Sequence, residues 1–316
     1  LDKIIFKFYQ NESDLIKAFN SGAIDGFGGL DGKDISKINI NHQVFELRMP
    51  RYYAVFLNQS DNDLLKDKNI RLALNYATDK QKMIQQVFNN QASAVHGPLV
   101  LGMRGYNSKI EPQNNFSLEK ANEILVANGW QINNNGVAEK NIDNQVKNLE
   151  FTLILPDIQF LTEAADILKN EWSKIGVKLN ISVRPSDEIN SQIIQTRNYE
   201  MLLFGAAISN NPDLFSFWHS SERFYPGLNL GIYSNKKIDE LLEKFRQTSS
   251  SLERQEDLTS IQELINADVP ALFLYSPKYL YVSIPNLGGL REGFITTPAD
   301  RFQNIEDWFE RTARIL

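Results

Sequence analysis

An α/β fold in about two domains is what this sequence predicts, on three observations. The 316 residues are too many for one small core. Apolar runs of strand length are separated by stretches with helical periodicity along most of the chain. Within residues 198–221, an apolar strand over 201–204 gives way to Gly205, Ala206 and Ala207. It then enters the turn Asn210-Asn211-Pro212-Asp213 and a short aromatic helix over 214–218. A strand that ends in small residues and runs through a polar turn into a helix is where open α/β sheets bind ligands. The same pattern also reads as an ordinary strand-to-helix connection.

Taken in order, residues 3–9 (KIIFKFY) alternate as a strand does. Asn11 or Ser13 caps a helix over 14–20 that stops at Gly22. A short strand over 23–27, a short helix over 34–38 and a strand over 43–49 follow. After Pro50 comes an aromatic strand over 52–58. This brief βαβαβ start is too small to close a core and needs strands from elsewhere. Helices follow over 67–77 and 80–88, the second with a capping box from Thr78 and Gln81. Ser117 caps a helix over 118–128 that ends at Gly129. The Asn-rich residues 131–147 read as a hairpin or a loose loop. Strands over 149–155 and 177–184, joined by an amphipathic helix over 158–175, make one βαβ crossover with parallel strands. A helix over 187–196 leads back to the strand before Gly205. Helices over 235–247 and 252–267, a strand over 269–275, an extended run over 279–282 and a closing helix over 305–314 complete the chain.

Composition narrows the function classes. The net charge of -6 argues against nucleic acid as a partner. No run approaches the roughly 18 apolar residues of a membrane helix. Cysteine is absent, which excludes disulfides and thiolate metal sites and fits an extracytoplasmic protein. His42, His96 and His219 have no ligand spacing, so no metal and no cofactor is expected. Ser220 and Ser221 lack the context of a nucleophilic serine. The chain opens on Leu1 with no signal peptide, which predicts a cut or processed N-terminus.

Six phrases in order resemble the solute-binding proteins of peptide-type ABC importers, the oligopeptide and dipeptide binders. They are the aromatic strand 53–58, NIRLALNYATD over 69–79, HGPL over 96–99, ANEILVANGW over 121–130, WSKIGV over 172–177 and DVPALFLY over 268–275. The resemblance implies a two-lobed, periplasmic-binding-protein-like (type II) α/β fold. It implies the C-terminal portion of such a protein, with an incomplete N-terminal lobe. Residues 1–51 and 280–316 would form part of lobe one, and 52–279 the whole of lobe two. The implied role is capture of a peptide or other small solute between the lobes and delivery to a membrane permease, without catalysis. The protein would act as a monomer in the periplasm or at the cell surface, with a lipid anchor ahead of Leu1. A hydrolase of sugars or peptides, and a sensory or docking module, are the alternative classes.

The resemblance places ligand contacts in and before the turn at Asp213, so Phe204, Gly205, Ala206, Ala207, Ile208, Ser209, Asn211 and Asp213 are candidate lining residues. Asp213 equally reads as a turn or cap carboxylate. Trp218 reads as a stacking or a core residue. Arg223 and Asn229 read as holders of a carboxylate or peptide carbonyl, or as parts of a solvated loop. Tyr53 is expected on the cleft floor. Ile208 stands where peptide binders carry an Asp that pairs with the peptide's free ammonium. An Ile cannot do that, so the ligand lacks a free amine or another acid holds it.

Overall fold

The computed structural model describes residues 3–110, 115–209 and 212–310. Residues 3–9 run extended but join no sheet among the described residues, so the strand expected there is not formed. Asn11 accepts the Asp14 N–H and starts α1, Glu12–Asn20. Ile16 and Phe19 of α1 pack against Phe27 of β1, Gly26–Gly28. A 3-10 turn, Gly32–Lys37, leads to β2, Gln43–Leu47, and then β3, Arg51–Leu57. Next come α2, Lys68–Tyr76, and α3, Lys80–Phe88. Asp79 caps α3, in place of the expected box from Thr78 and Gln81. The Thr78 hydroxyl donates instead to the Leu74 carbonyl, one turn back.

β4, Ala92–Ala94, precedes α4, Leu118–Ala127, whose cap is Ser117 as expected. The Asn-rich stretch folds as a three-stranded antiparallel sheet of β5 Gln131–Ile132, β6 Ala138–Ile142 and β7 Gln145–Asn148. β8, Glu150–Pro156, and β9, Lys178–Arg184, are parallel and flank α5, Gln159–Ser173. α6, Ser186–Glu188, continues through a π-helical stretch, Ile189–Ile194, towards β10, Met201–Ala207. After α7, Phe215–Trp218, come α8, Lys236–Gln247, and α9, Ser251–Asp268. β11 is Ala271–Pro277, β12 Tyr279–Ser283, β13 Leu287–Gly288 and β14 Phe309–Glu310. A 3-10 turn, Ile305–Asp307, and β14 replace the start of the expected closing helix. Its last residues, 311–314, lie outside the described residues.

The large sheet has the order β4-β11-β3-β10-β8-β9. One face is covered by α2, α3, α4 and α5, the other by α7, α8 and α9. The small sheet has the order β1-β12-β2. Leu47, Met49, Tyr279 and Tyr281 make a core with Trp308, and Ile305 packs against it. Much of the tail after β12 thus packs on the small sheet, though Phe294 packs against the core of the large sheet and Phe309 is exposed.

The two sheets share one ribbon. β2 pairs with β12 in the small sheet, and β3 pairs with β11 in the large one. The chain passes between sheets at residues 48–50 and again at Lys278. Arg51 therefore belongs to the large sheet and Tyr279 to the small one, each a residue across the expected boundary.

Candidate functional site

β3 and β10 lie antiparallel at the centre of the large sheet, with Gly205 opposite Tyr53 and Ala207 opposite Arg51. Directly opposed residues share a face of a sheet. Arg51, Tyr53, Gly205 and Ala207 therefore occupy one face where these strands end. A Cβ on Gly205 would stand 2.9 Å from the Tyr53 ring, so glycine is what lets that ring lie across the strand. Phe160, near the start of α5, meets Tyr53 edge-on with centroids 5.0 Å apart, and Tyr275 lies 5.7 Å away on the other side. Ala207 is exposed beside them. The result is an aromatic shelf, narrow in side chains and open at its end.

The small lobe touches this shelf's flank. Lys33 pairs with Glu163 of α5, and Gln159 donates to the same carboxylate at 3.0 Å. Asn89 donates to the Gly32 carbonyl at 3.3 Å. Burial pushes the Glu163 carboxyl upward, but Lys33 and Gln159 outweigh it and hold the group below the usual carboxylate value. At the second crossing, burial and Lys278 compete in the same way at Glu46, and Lys278 wins. Burial raises the Tyr53 phenol, and the positive charge of Arg51 works against that rise.

The opposite face is closed. Phe204, Ala206 and Ile208 point away from the shelf, into the core with Tyr52, Leu214 and Trp218. Ile208 is 3% exposed and Trp218 1%. The expectation that Ala206, Ile208 and Trp218 line a cleft is corrected: strand alternation turns Ala206 and Ile208 inward, and α7 packs Trp218 into the same core. Phe204 is half-buried on that same inner face. Asn229 is also a core residue, 0% exposed, because its amide donates to the carbonyls of His219 and Tyr233 and accepts the Tyr233 N–H. Asp213 follows its cap reading. It accepts the Phe215 N–H at 3.1 Å and meets Arg246 through two guanidinium nitrogens, at 3.0 and 2.7 Å. Arg223 donates to the Ser220 carbonyl at 2.7 Å and leans on Phe224. Ser209 is exposed, and Asn211 lies outside the described residues.

Sequence reasoning missed Arg51, Phe160 and Tyr275. They come from three separated segments, and nothing local in the sequence joins them. It also did not foresee that Ser221, His219 and Glu243 adjoin. The Ser221 hydroxyl is 2.8 Å from His219 Nδ1, and Nε2 is 3.4 Å from Glu243. Nδ1 also accepts the Ser221 N–H at the start of a 3-10 turn, and Phe215 stacks on the ring at 4.0 Å. This is capping geometry. A groove of about 530 Å³ lies elsewhere, in the small lobe between residues 3–9 and β1, and includes no shelf residue.

Two sheets joined by a double crossing, with an aromatic shelf at the large sheet's strand ends, define a two-lobed α/β protein of the periplasmic-binding type. The chain belongs to the bacterial extracellular solute-binding proteins, family 5, whose middle-region model matches residues 1–224. Among curated relatives, the oligopeptide-binding protein AppA of Bacillus subtilis is 25% identical over 315 residues, covering 98% of this chain and 56% of the relative. The structure of AppA from Bacillus subtilis in complex with a nonapeptide superposes with a TM-score of 0.76 at 24% identity, covering 95% of this chain and 58% of that one. NikZ from Campylobacter jejuni, in complex with Ni(L-His), gives 0.72 at 26% identity, covering 95% and 60%. This chain thus spans little more than half the length of the relatives it matches.

Proposed function

We propose that this chain is the larger lobe and part of the smaller lobe of an ABC importer's solute-binding component. It takes a peptide-like solute into the space between its lobes and delivers it to a membrane permease. The observation that carries this reading is the shared ribbon. A two-stranded connection, broken at residues 48–50 and at Lys278, joins the sheets. Adjacent crossings of this kind let two rigid bodies rotate while each keeps its own core. The shelf Tyr53–Gly205–Ala207 lies just inside those crossings, where closure would bury a solute.

A peptide-like solute suits the shelf. The small, exposed Ala207 leaves room for a backbone to approach the strand end, and aromatic rings flank it. The relative in complex with a nonapeptide supports the same class. The role is binding without catalysis, carried out by a monomer outside the cytoplasm, in the periplasm or at the cell surface. Native mass spectrometry of the full chain, incubated with a pool of random tetrapeptides and desalted, tests it. Retained peptide mass at one-to-one stoichiometry is expected. A bare chain at peptide concentrations far above the micromolar range would refute the peptide reading.

A further inference from the structure

The shelf carries hydrogen-bond donors with nothing to donate to. The Arg51 side chain makes no hydrogen bond and no ion pair among the described residues, and its Nε is buried without a partner. Tyr275 is 0% exposed, and its hydroxyl also lacks an acceptor. The Tyr53 hydroxyl makes no hydrogen bond among the described residues either, between those two groups on the same face. The charge of Arg51 acts on the Tyr53 phenol, and Tyr53 in turn acts on Tyr275, so the three groups share one electrostatic neighbourhood.

The positive end of a helix adds to them. α5 begins at Gln159, and the residue before it, Ile158, offers no side-chain cap. Phe160 of that first turn is in edge contact with Tyr53. Two carboxylates on the adjoining elements are already paired, Glu163 with Lys33 and Glu46 with Lys278. Buried donors without acceptors are costly, and a structure that keeps several together supplies them with an acceptor when it is loaded. A guanidinium between phenols and an uncapped helix end matches a carboxylate in charge and in lone-pair number.

We infer that Arg51, with the hydroxyls of Tyr53 and Tyr275, forms an anion subsite on the shelf that receives a carboxylate of the solute. The inference rests on the solute-binding reading above and assigns one end of the solute to one place. For a peptide, the carboxylate is either the C-terminus or an acidic side chain. Ala207, the cross-strand neighbour of Arg51, is apolar, so the anion fixes the register of the solute along the strand ends.

The test compares the full chain with Arg51→Gln and Arg51→Lys. Each is titrated with two pools of random tetrapeptides lacking Asp and Glu, identical except for a free or an amidated C-terminus. The wild type should favour the free-acid pool by at least tenfold. R51Q should lose that preference while holding the amide pool within about threefold of wild type, and R51K should keep part of it. Equal affinity of the wild type for both pools, with preference restored by adding Glu to the peptides, assigns the subsite to a side-chain carboxylate. Equal affinity with no such gain overturns the inference and leaves peptide binding standing. A uniform loss with R51Q on both pools also overturns it, because that marks a structural role. If neither pool binds, the peptide reading fails, and the subsite is decided by thermal unfolding in rising glutarate. A wild-type midpoint that climbs while that of R51Q does not supports the anion subsite. An identical response of both proteins overturns it.

Discussion

Asp213 and Glu163 are two acids near the strand end, and each already has a cation. Asp213 is held by Arg246, whose guanidinium also lies 3.7 Å over the Phe215 ring, and Glu163 is held by Lys33. An ammonium that uses either of these two would have to break that pair. We therefore expect a free-amine peptide and its N-acetylated form to bind within about threefold of each other by calorimetry. A loss near a hundredfold on acetylation, about 3 kcal/mol, would show that a further acid holds the amine. Lys80 offers a second measurement at this scale. Its ammonium is buried in α3, donating to the Val95 carbonyl at 3.0 Å beside His96. Burial lowers it to about 7, while burial and the Lys80 charge lower His96 to about 4. The unfolded chain keeps the Lys80 proton up to the ordinary lysine value, so between about pH 7 and 10 it binds more protons than the folded one. Folding stability should rise with pH across that window. Lys80→Met should flatten the rise in urea-unfolding midpoints, and an unchanged slope would show that Lys80 stays charged in the fold.

At the scale of elements, the phrases that carry the family resemblance turn out to hold the elements together. Arg71, within the segment 69–79, puts its guanidinium on the carbonyls of Leu65, Lys66, Asp268 and Val269, closing the C-terminal end of α9 against α2. Trp172 donates to the Thr78 hydroxyl at 3.2 Å, joining the segment 172–177 to the same segment 69–79 in space. Gly176 has a positive φ of 76°, and a Cβ there would stand 2.8 Å from the Ala138 nitrogen. These requirements are local and strict, so strands β8 and β9, their crossover and most helices were legible in the sequence. The shelf was less legible. Its residues meet through register between distant strands, and the apolar run over 201–208 does not reveal which side chains turn outward. For that reason the sequence offers Ile208 as a lining residue and gives no sign of Arg51. Gly205 tests the shelf as an element. In Gly205→Val the side chain must displace the Tyr53 ring. Solute affinity should fall at least tenfold, while unfolding moves by about 1–3 kcal/mol. Unchanged affinity would show that Tyr53 does not set the cleft floor.

At the scale of the molecule, each lobe has its own core, and the contacts between them include a ribbon, a few polar contacts, the Lys33–Glu163 pair and Phe294 against the large-sheet core. Such contacts are weak enough to break and reform with a solute. No helix among the described residues is long and apolar enough to cross a membrane. The central claim is that the solute is held between the lobes and draws them together. Because the sequence has no cysteine, one label on each lobe can be placed without background, at Ser36→Cys in the small lobe and Asn190→Cys in the large one. The measurement is the single-molecule energy-transfer distance between these labels in the full chain, titrated with the tetrapeptide pool. The account predicts a saturable shift to a second distance, with a midpoint equal to the calorimetric affinity. A distance that stays constant while the protein is saturated with peptide would contradict it.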